Sequence, residues 1–164
     1  MSVGDLRVLA VEGRSGSGKS RFAATIAAGL GATLIRMDEI YPGWDGLQAA
    51  VTVLHEQVLV PLAAGEPARW RLWDWAGDRP GAWHEVPATE RLVVEGVGCG
   101  ADVLTAYRSG LIWIEASADV RRERAMARDG DTYAPHWERW ARQEDAFYAA
   151  NDVRGQADLI IENG

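Results

Sequence analysis

Residues 13–20 read GRSGSGKS and hold the only lysine of the chain, Lys19; every other Lys/Arg cation is an arginine. Immediately upstream, LRVLAVEG (6–13) is a short apolar run ending at a glycine, the pattern of a buried strand. Immediately downstream, RFAATIAAGLG (21–31) has the alanine, isoleucine and leucine content of a buried helix, with Gly29 or Gly31 past its end. Strand, glycine-rich loop and helix follow one another, and Gly13 to Ser20 keep the spacing G-x-x-x-x-G-K-[ST] of a phosphate-binding P-loop. Glycines let backbone N–H groups wrap an anion, and the helix N-terminus adds favourable electrostatics. Lysine supplies a compact charge on a flexible stem that reaches between β- and γ-phosphates, whereas the broad planar fork of arginine is no equivalent. A nucleoside triphosphate is therefore expected along Gly13, Arg14, Ser15, Gly16, Ser17, Gly18, Lys19, Ser20 and Arg21, with the Ser20 hydroxyl offered to Mg2+.

Outward from this loop, strands and helices alternate. TLIRM (33–37) reads as a second strand that closes at Asp38, and MDEIYPGWDG (37–46) carries two turn signals, Pro42-Gly43 and Asp45-Gly46. LQAAVTVLHEQVLVPLAAG (47–65) is helical, weakened or ended near Pro61. RWRLWDW (69–75), the turn residues GDRPG and AWHEV (82–86) make a hairpin. RLVVEG (91–96) and LIWIEAS (111–117) are strands, with a short helix in ADVLTAY (101–107) between them. ADVRRERAMARD (118–129) is a helix with Ser117 as its N-cap, and Pro135 suits the first turn of the helix PHWERWARQEDAFYAA (135–150). ADLIIENG (157–164) is a last strand. This alternation predicts an α/β fold with a mostly parallel sheet, in a single domain over residues 1–164.

Composition limits the function. Of 164 residues, 48% are hydrophobic and 25% charged, a globular balance, and no apolar run approaches the ~18 residues of a membrane span. The N-terminal MSVGDLRVLAVEG lacks a basic region followed by an apolar one, so no signal peptide is expected and the protein reads as cytoplasmic. A net charge of -7 argues against an extended nucleic-acid surface, which needs clustered cations. The lone Cys99 excludes an internal disulfide, and it gives no zinc spacing with the scattered His55, His84 and His136.

The fate of the γ-phosphate is read from what accompanies the loop. The guanine-reading Asn-Lys-x-Asp of GTPases is absent, because Lys19 is the sole lysine. A small kinase needs a hydroxyl-orienting carboxylate, a magnesium-side acid and mobile cations over the transferred phosphoryl group. In open parallel sheets ligands bind beyond the carboxyl ends of the strands, where Asp38 and Glu95 each close an apolar run. Arg121, Arg124 and Arg128 fall at i, i+3 and i+7 on one helix face, and RDGDTYAP then breaks the helix to form a lid over about residues 128–136. Arg139 and Arg142 follow on the next helix; Glu123, Asp129 and Glu138 are the partners these arginines would have on an ordinary solvated face. Of the eight tryptophans, one or two among Trp44, Trp73 and Trp75 are expected at the acceptor, and Trp137 and Trp140 in packing.

Taken in order, the P-loop, the Asp38-x-x-Tyr41 loop, the Trp73-Asp74 pair in a hairpin and the Glu-Gly at 95–96 resemble the uridine kinase and phosphoribulokinase group of P-loop kinases. The resemblance runs from about residue 6 to about residue 162. It implies a core strand order 2-3-1-4-5, a small lid and an acceptor-side hairpin. It implies Asp38 as the general base on the acceptor hydroxyl and Glu95, with Ser20, beside Mg2+. Tyr41, Trp44 and Asp45 would stand in the acceptor loop, with Asp45 on sugar hydroxyls, and Trp73, Asp74 and Arg79 at the base. The family's aromatic-Asp pair is followed by His-Ser-Arg, whereas GDRPG stands here, with Asp78 and Arg79 but no histidine. The expected activity is ATP- and Mg2+-dependent phosphoryl transfer to a hydroxyl of a small acceptor, a nucleoside by resemblance. The alternatives are a nucleoside monophosphate or other small-metabolite kinase, and a regulatory module that binds nucleotide without turnover.

Overall fold

The structure, a computed structural model, describes residues 4–164; positions 1–3 of the N-terminal reading lie outside it. Five strands, β1 (Arg7–Glu12), β2 (Thr33–Arg36), β5 (Arg91–Glu95), β6 (Gly110–Glu115) and β7 (Leu159–Glu162), pair in parallel in the order β2-β5-β1-β6-β7. Numbered among themselves these are 2-3-1-4-5, the order expected from the resemblance. Two further strands, β3 (Ala68–Asp74) and β4 (Arg79–Val86), form a separate antiparallel hairpin with an irregularity between Arg71 and Trp73.

Apolar side chains alternate between the two faces of the sheet, as the strand period requires. From β1 and β5, Val8, Ala10, Leu92 and Val94 join the larger core, which includes Leu54, Trp70, Leu104, Trp137 and Phe147. Val11, Val93 and Ile114 face the other way, onto Ala23 and Ala27 of α1 (Lys19–Leu30). A parallel sheet covered on both faces leaves only its strand ends open, and the phosphate loop lies at the carboxyl end of the central strand β1. Gly31 ends α1 in the left-handed conformation (φ 61), while Gly29 remains inside the helix.

As expected, the helix is weakened just before Pro61 and ends soon after it, at Ala63. α2 (Leu47–Val53) runs through a π-helical segment, Leu54–Leu59, into α3 (Val60–Ala63), which has the proline in its first turn. The widened turn just before Pro61 makes room for the ring and for its missing N–H. The segment 102–107 is 3-10 rather than α-helical. α4 (Ala118–Asp129) is capped by Ser117, whose Oγ accepts from Val120 N. Two 3-10 turns, Gly130–Thr132 and Ala134–His136, occupy the expected lid before α5 (Trp137–Ala150); α6 (Val153–Gln156) leads into β7. Among the described residues no helix is long and apolar enough to cross a membrane.

Candidate active site

The phosphate loop is held open from outside. Arg121 Nη1 donates to Ser15 O at 3.5 Å, and Arg124 Nη1 donates to Gly16 O and Ser17 O at 3.4 and 3.3 Å. Asn163 Nδ2 adds a bond to Ser17 O at 2.8 Å. With these carbonyls tied back, the Ser17 amide turns inward onto Arg14 O at 3.1 Å, while the amides of Gly16 and Gly18 face the inside of the loop, where an anion would sit. Gly16 (φ 82) permits this close approach, since a Cβ there would lie 2.2 Å from Arg121 O. Lys19 Nζ donates to Arg14 O at 3.4 Å, and Ser20 Oγ donates to Glu95 Oε1 at 3.0 Å. A hydroxyl and a buried carboxylate in contact are hard oxygen donors that fit Mg2+. Among the described residues no three His, Cys, Asp or Glu side chains group as a metal site, so Mg2+ here would complete its shell from phosphate and water.

In front of the loop lies a cavity of about 340 Å3. Its phosphate end is Ser15, Gly16, Lys19 and Ser20; Asp38 and Arg128 border it, and its far side is aromatic, with Tyr41, Trp44, Trp75, Tyr133 and Trp140. The sites expected from the sequence are distributed unevenly around it. Asp38, in the 3-10 turn after β2, shares the cavity with Lys19 and Ser20. Arg128 is the one lid arginine on its wall and pairs with Asp129 at 2.9 Å; Arg121 and Arg124 stand behind the loop instead. Tyr41 is buried and its hydroxyl donates to Val97 O at 2.6 Å.

Asp45 is exposed and does not line the cavity; both its oxygens are bonded by Arg139, which holds its carboxyl below the usual range. Asp74 accepts from Gly77 N at 3.0 Å and pairs with Arg79 at 3.5 Å, closing the hairpin turn rather than lining the cavity. Trp73 packs near Gly43, and it is Trp75, one step past the strand, that reaches the site. Its Nε1 donates to Asp38 O at 2.9 Å and its ring lies 5.0 Å from that of Trp44. Trp44 also stacks on His136 and meets Tyr133 and Trp140 edge-on, so the 37–46 loop and the 130–136 segment share one aromatic cluster.

Two buried acids at the site were not singled out from the sequence. Glu12, fully buried at the end of β1, accepts from Gly13 N, Gly98 N, Gly100 N and Tyr148 OH. Its signal was legible, because LAVEG repeats the pattern of LVVEG that marks Glu95. Glu144, 2% exposed, accepts from both the backbone N and the Oγ of Ser15, at 2.9 and 2.8 Å. On a helix that also carries Glu138 and Asp145, nothing local distinguishes it.

Burial raises the carboxyl of Glu95, with Asp38 adding to the effect; Lys19, Ser20 and Arg36 oppose it. At Glu12 burial pushes the carboxyl from 4.5 up to about 7, against the Tyr148 hydroxyl and three glycine amides that favour the anion. Between these two pH values the folded protein holds a proton that the unfolded chain has released. The contribution of Glu12 to stability therefore falls as pH rises through that window and is constant above it. The stability of wild type relative to Glu12→Gln should decline by roughly 3 kcal/mol from pH 4.5 to 7 in urea titrations. A difference independent of pH would show that the four donors keep Glu12 ionised throughout.

No family model matches the chain, and no curated protein matches it in sequence. Its likeness to solved structures is extensive. It is similar to a structure described as a possible uridine kinase from Bacillus stearothermophilus, at 18% identity and a TM-score of 0.68, over 95% of this chain and 88% of that one. It is similar also to a gluconokinase from Sinorhizobium meliloti 1021, at 17% identity and a TM-score of 0.55, over 98% and 85% of the two chains. This is the P-loop kinase fold. Around the cavity, the loop after β1 and the start of α1 supply Ser15, Gly16, Lys19 and Ser20, while the 37–46 loop, the hairpin end and the 128–133 segment supply Asp38, Trp44, Trp75, Arg128 and Tyr133.

Proposed function

We propose that the protein is an ATP- and Mg2+-dependent kinase, a single cytoplasmic domain that transfers the γ-phosphoryl group of ATP to a hydroxyl of a small acceptor. The acceptor class that the uridine kinase resemblance favours is a nucleoside. One observation carries the reading: the Asp38 carboxylate lies in the same cavity as Lys19 and Ser20. A module that only binds nucleotide has no use for a carboxylate beside the position of transfer.

Lys19 and the amides of the loop hold the phosphates, while Arg121 and Arg124 keep the loop in shape from behind. Ser20 and Glu95 would hold Mg2+, which, when bound, neutralises charge on the transferring oxygens. Asp38 orients the acceptor hydroxyl and takes its proton, and Arg128 brings a positive charge to the phosphoryl group from the lid. The aromatic wall supplies faces for the ring of the acceptor and excludes water. Among the described residues Lys19 and Arg128 are the only cations on the cavity wall, and on this reading both serve the donor phosphates. An acceptor that is already phosphorylated would need more, which supports an unphosphorylated one.

The test is acceptor-dependent consumption of ATP with Mg2+ across a panel of nucleosides, nucleoside monophosphates and sugars. Turnover that appears only with an unphosphorylated hydroxyl compound is the expected result. ATP bound but transferred to nothing in the panel would overturn the reading. For the metal, Glu95→Gln should raise the Mg2+ concentration needed for half-maximal activity more than it weakens binding of metal-free ATP. An unchanged metal requirement would leave Glu95 a structural partner of Ser20.

A further inference from the structure

Helix α5 touches both substrate sides of the cavity. At its start, Arg139 binds both oxygens of Asp45. One turn on, Gln143 Nε2 donates to Trp44 O, and Gln143 Oε1 accepts from Leu47 N at 3.4 Å. The acceptor loop is thus fastened to α5 through its backbone on either side of Asp45. The next residue, Glu144, fastens the phosphate loop, taking Ser15 N and Ser15 Oγ on one carboxylate oxygen. A further turn on, Tyr148 OH donates to Glu12 Oε1 at 2.8 Å, and Glu12 in turn bonds the amide of Gly13, the first residue of that loop. Arg14 completes the attachment by pairing with Asp145 at 2.7 Å.

We propose that α5 couples the acceptor loop to the phosphate loop, with Glu144 the positioning residue at the nucleotide end and Gln143 at the acceptor end. This rests on the kinase reading of the site. Gln143 and Glu144 are adjacent on one rigid helix, so a shift that seats Ser15 against a phosphate is carried to Trp44 and Leu47. A nucleotide that fixes the phosphate loop therefore also fixes the acceptor loop, and by linkage the acceptor strengthens nucleotide binding by the same factor. The carboxylate of Glu144 is needed because it takes two donors from one residue while itself buried; its loss leaves the half-buried amide and hydroxyl of Ser15 without this partner.

The test uses a non-hydrolysable ATP analogue with Mg2+, with hydrogen exchange as the readout. In wild type, saturating analogue should slow exchange in the peptide spanning 42–50, which contains the Leu47 amide, several-fold. In Gln143→Ala, whose phosphate-loop bonds are intact, the analogue should still bind but the slowing should vanish. Glu144→Ala should weaken the analogue about ten- to hundredfold, the range for a buried hydrogen bond to a charged group. Glu144→Gln keeps an oxygen for Ser15 and should recover most of that loss. It carries the test alone if the alanine variant fails to fold. If the analogue binds wild type while exchange over 42–50 is unchanged, or if Gln143→Ala keeps the slowing, the coupling is overturned and the nucleotide site stands. If no analogue binds at any concentration, both fall.

Discussion

Lys19→Ala is expected to reduce phosphotransfer by on the order of 10²–10³-fold, the range for removing one preorganised charge-stabilising donor. The fold should be untouched, because among the described residues the one hydrogen bond of Nζ is to Arg14 O in the same loop. The loss is compounded at Glu95, whose carboxyl burial already raises and whose largest opposing influence is the charge of Lys19; without it this acid takes up a proton more readily still. Lys19→Arg should fail nearly as badly. The guanidinium keeps the charge but not the shape, in a loop whose outer carbonyls are fixed by Arg121 and Arg124 and cannot widen to admit a planar fork. Measured kcat and melting temperature decide this together. Near-normal turnover in the arginine variant would show that charge alone suffices there and that the chain's single lysine has no steric reason.

Asp38→Asn is expected to cut turnover by about 10²–10⁴-fold, the range of general-base contributions, with ATP affinity little changed. Phosphoryl transfer is largely dissociative, so proton removal comes late and the lower half of that range is the better expectation. Asparagine keeps the size and can still hydrogen-bond a hydroxyl, and the Trp75 bond goes to the backbone oxygen of residue 38, which the substitution leaves in place. The loss would therefore report proton acceptance rather than position. Asp45→Asn makes the contrast. It breaks the ion pair with Arg139 and loosens the acceptor loop, so it should raise the acceptor KM more than it lowers kcat. If Asp45→Asn abolishes turnover while Asp38→Asn is nearly silent, the two carboxylates have been assigned the wrong way round.

What could be seen in the sequence was whatever is encoded locally. The five core strands are apolar runs of four to six residues between glycines, acids and turns, and each lies where its run predicts. The phosphate loop is eight contiguous residues with a fixed spacing, and Ser117 caps its helix by a bond spanning three positions. What escaped depends on parts of the chain that are distant in sequence. Glu144 meets Ser15 across 129 residues, and its identity as a site residue exists only once α5 has packed against the loop. Trp73 and Trp75 have the same composition and neighbourhood. The choice between them is made by how the hairpin leans on the 37–46 loop, for which no local pattern exists.

The hairpin is a sheet of its own, hydrogen-bonded to no strand of the core, yet Trp75 at its tip rests on the backbone of the residue assigned as base. A change in the length or sequence of residues 75–79 would therefore alter the depth of the acceptor cavity without disturbing the five parallel strands or the phosphate loop. On the proposed reading, the phosphate loop is built onto the central sheet, whereas one part of the acceptor wall, Trp75, hangs on an appendage that can be lengthened, shortened or re-aimed.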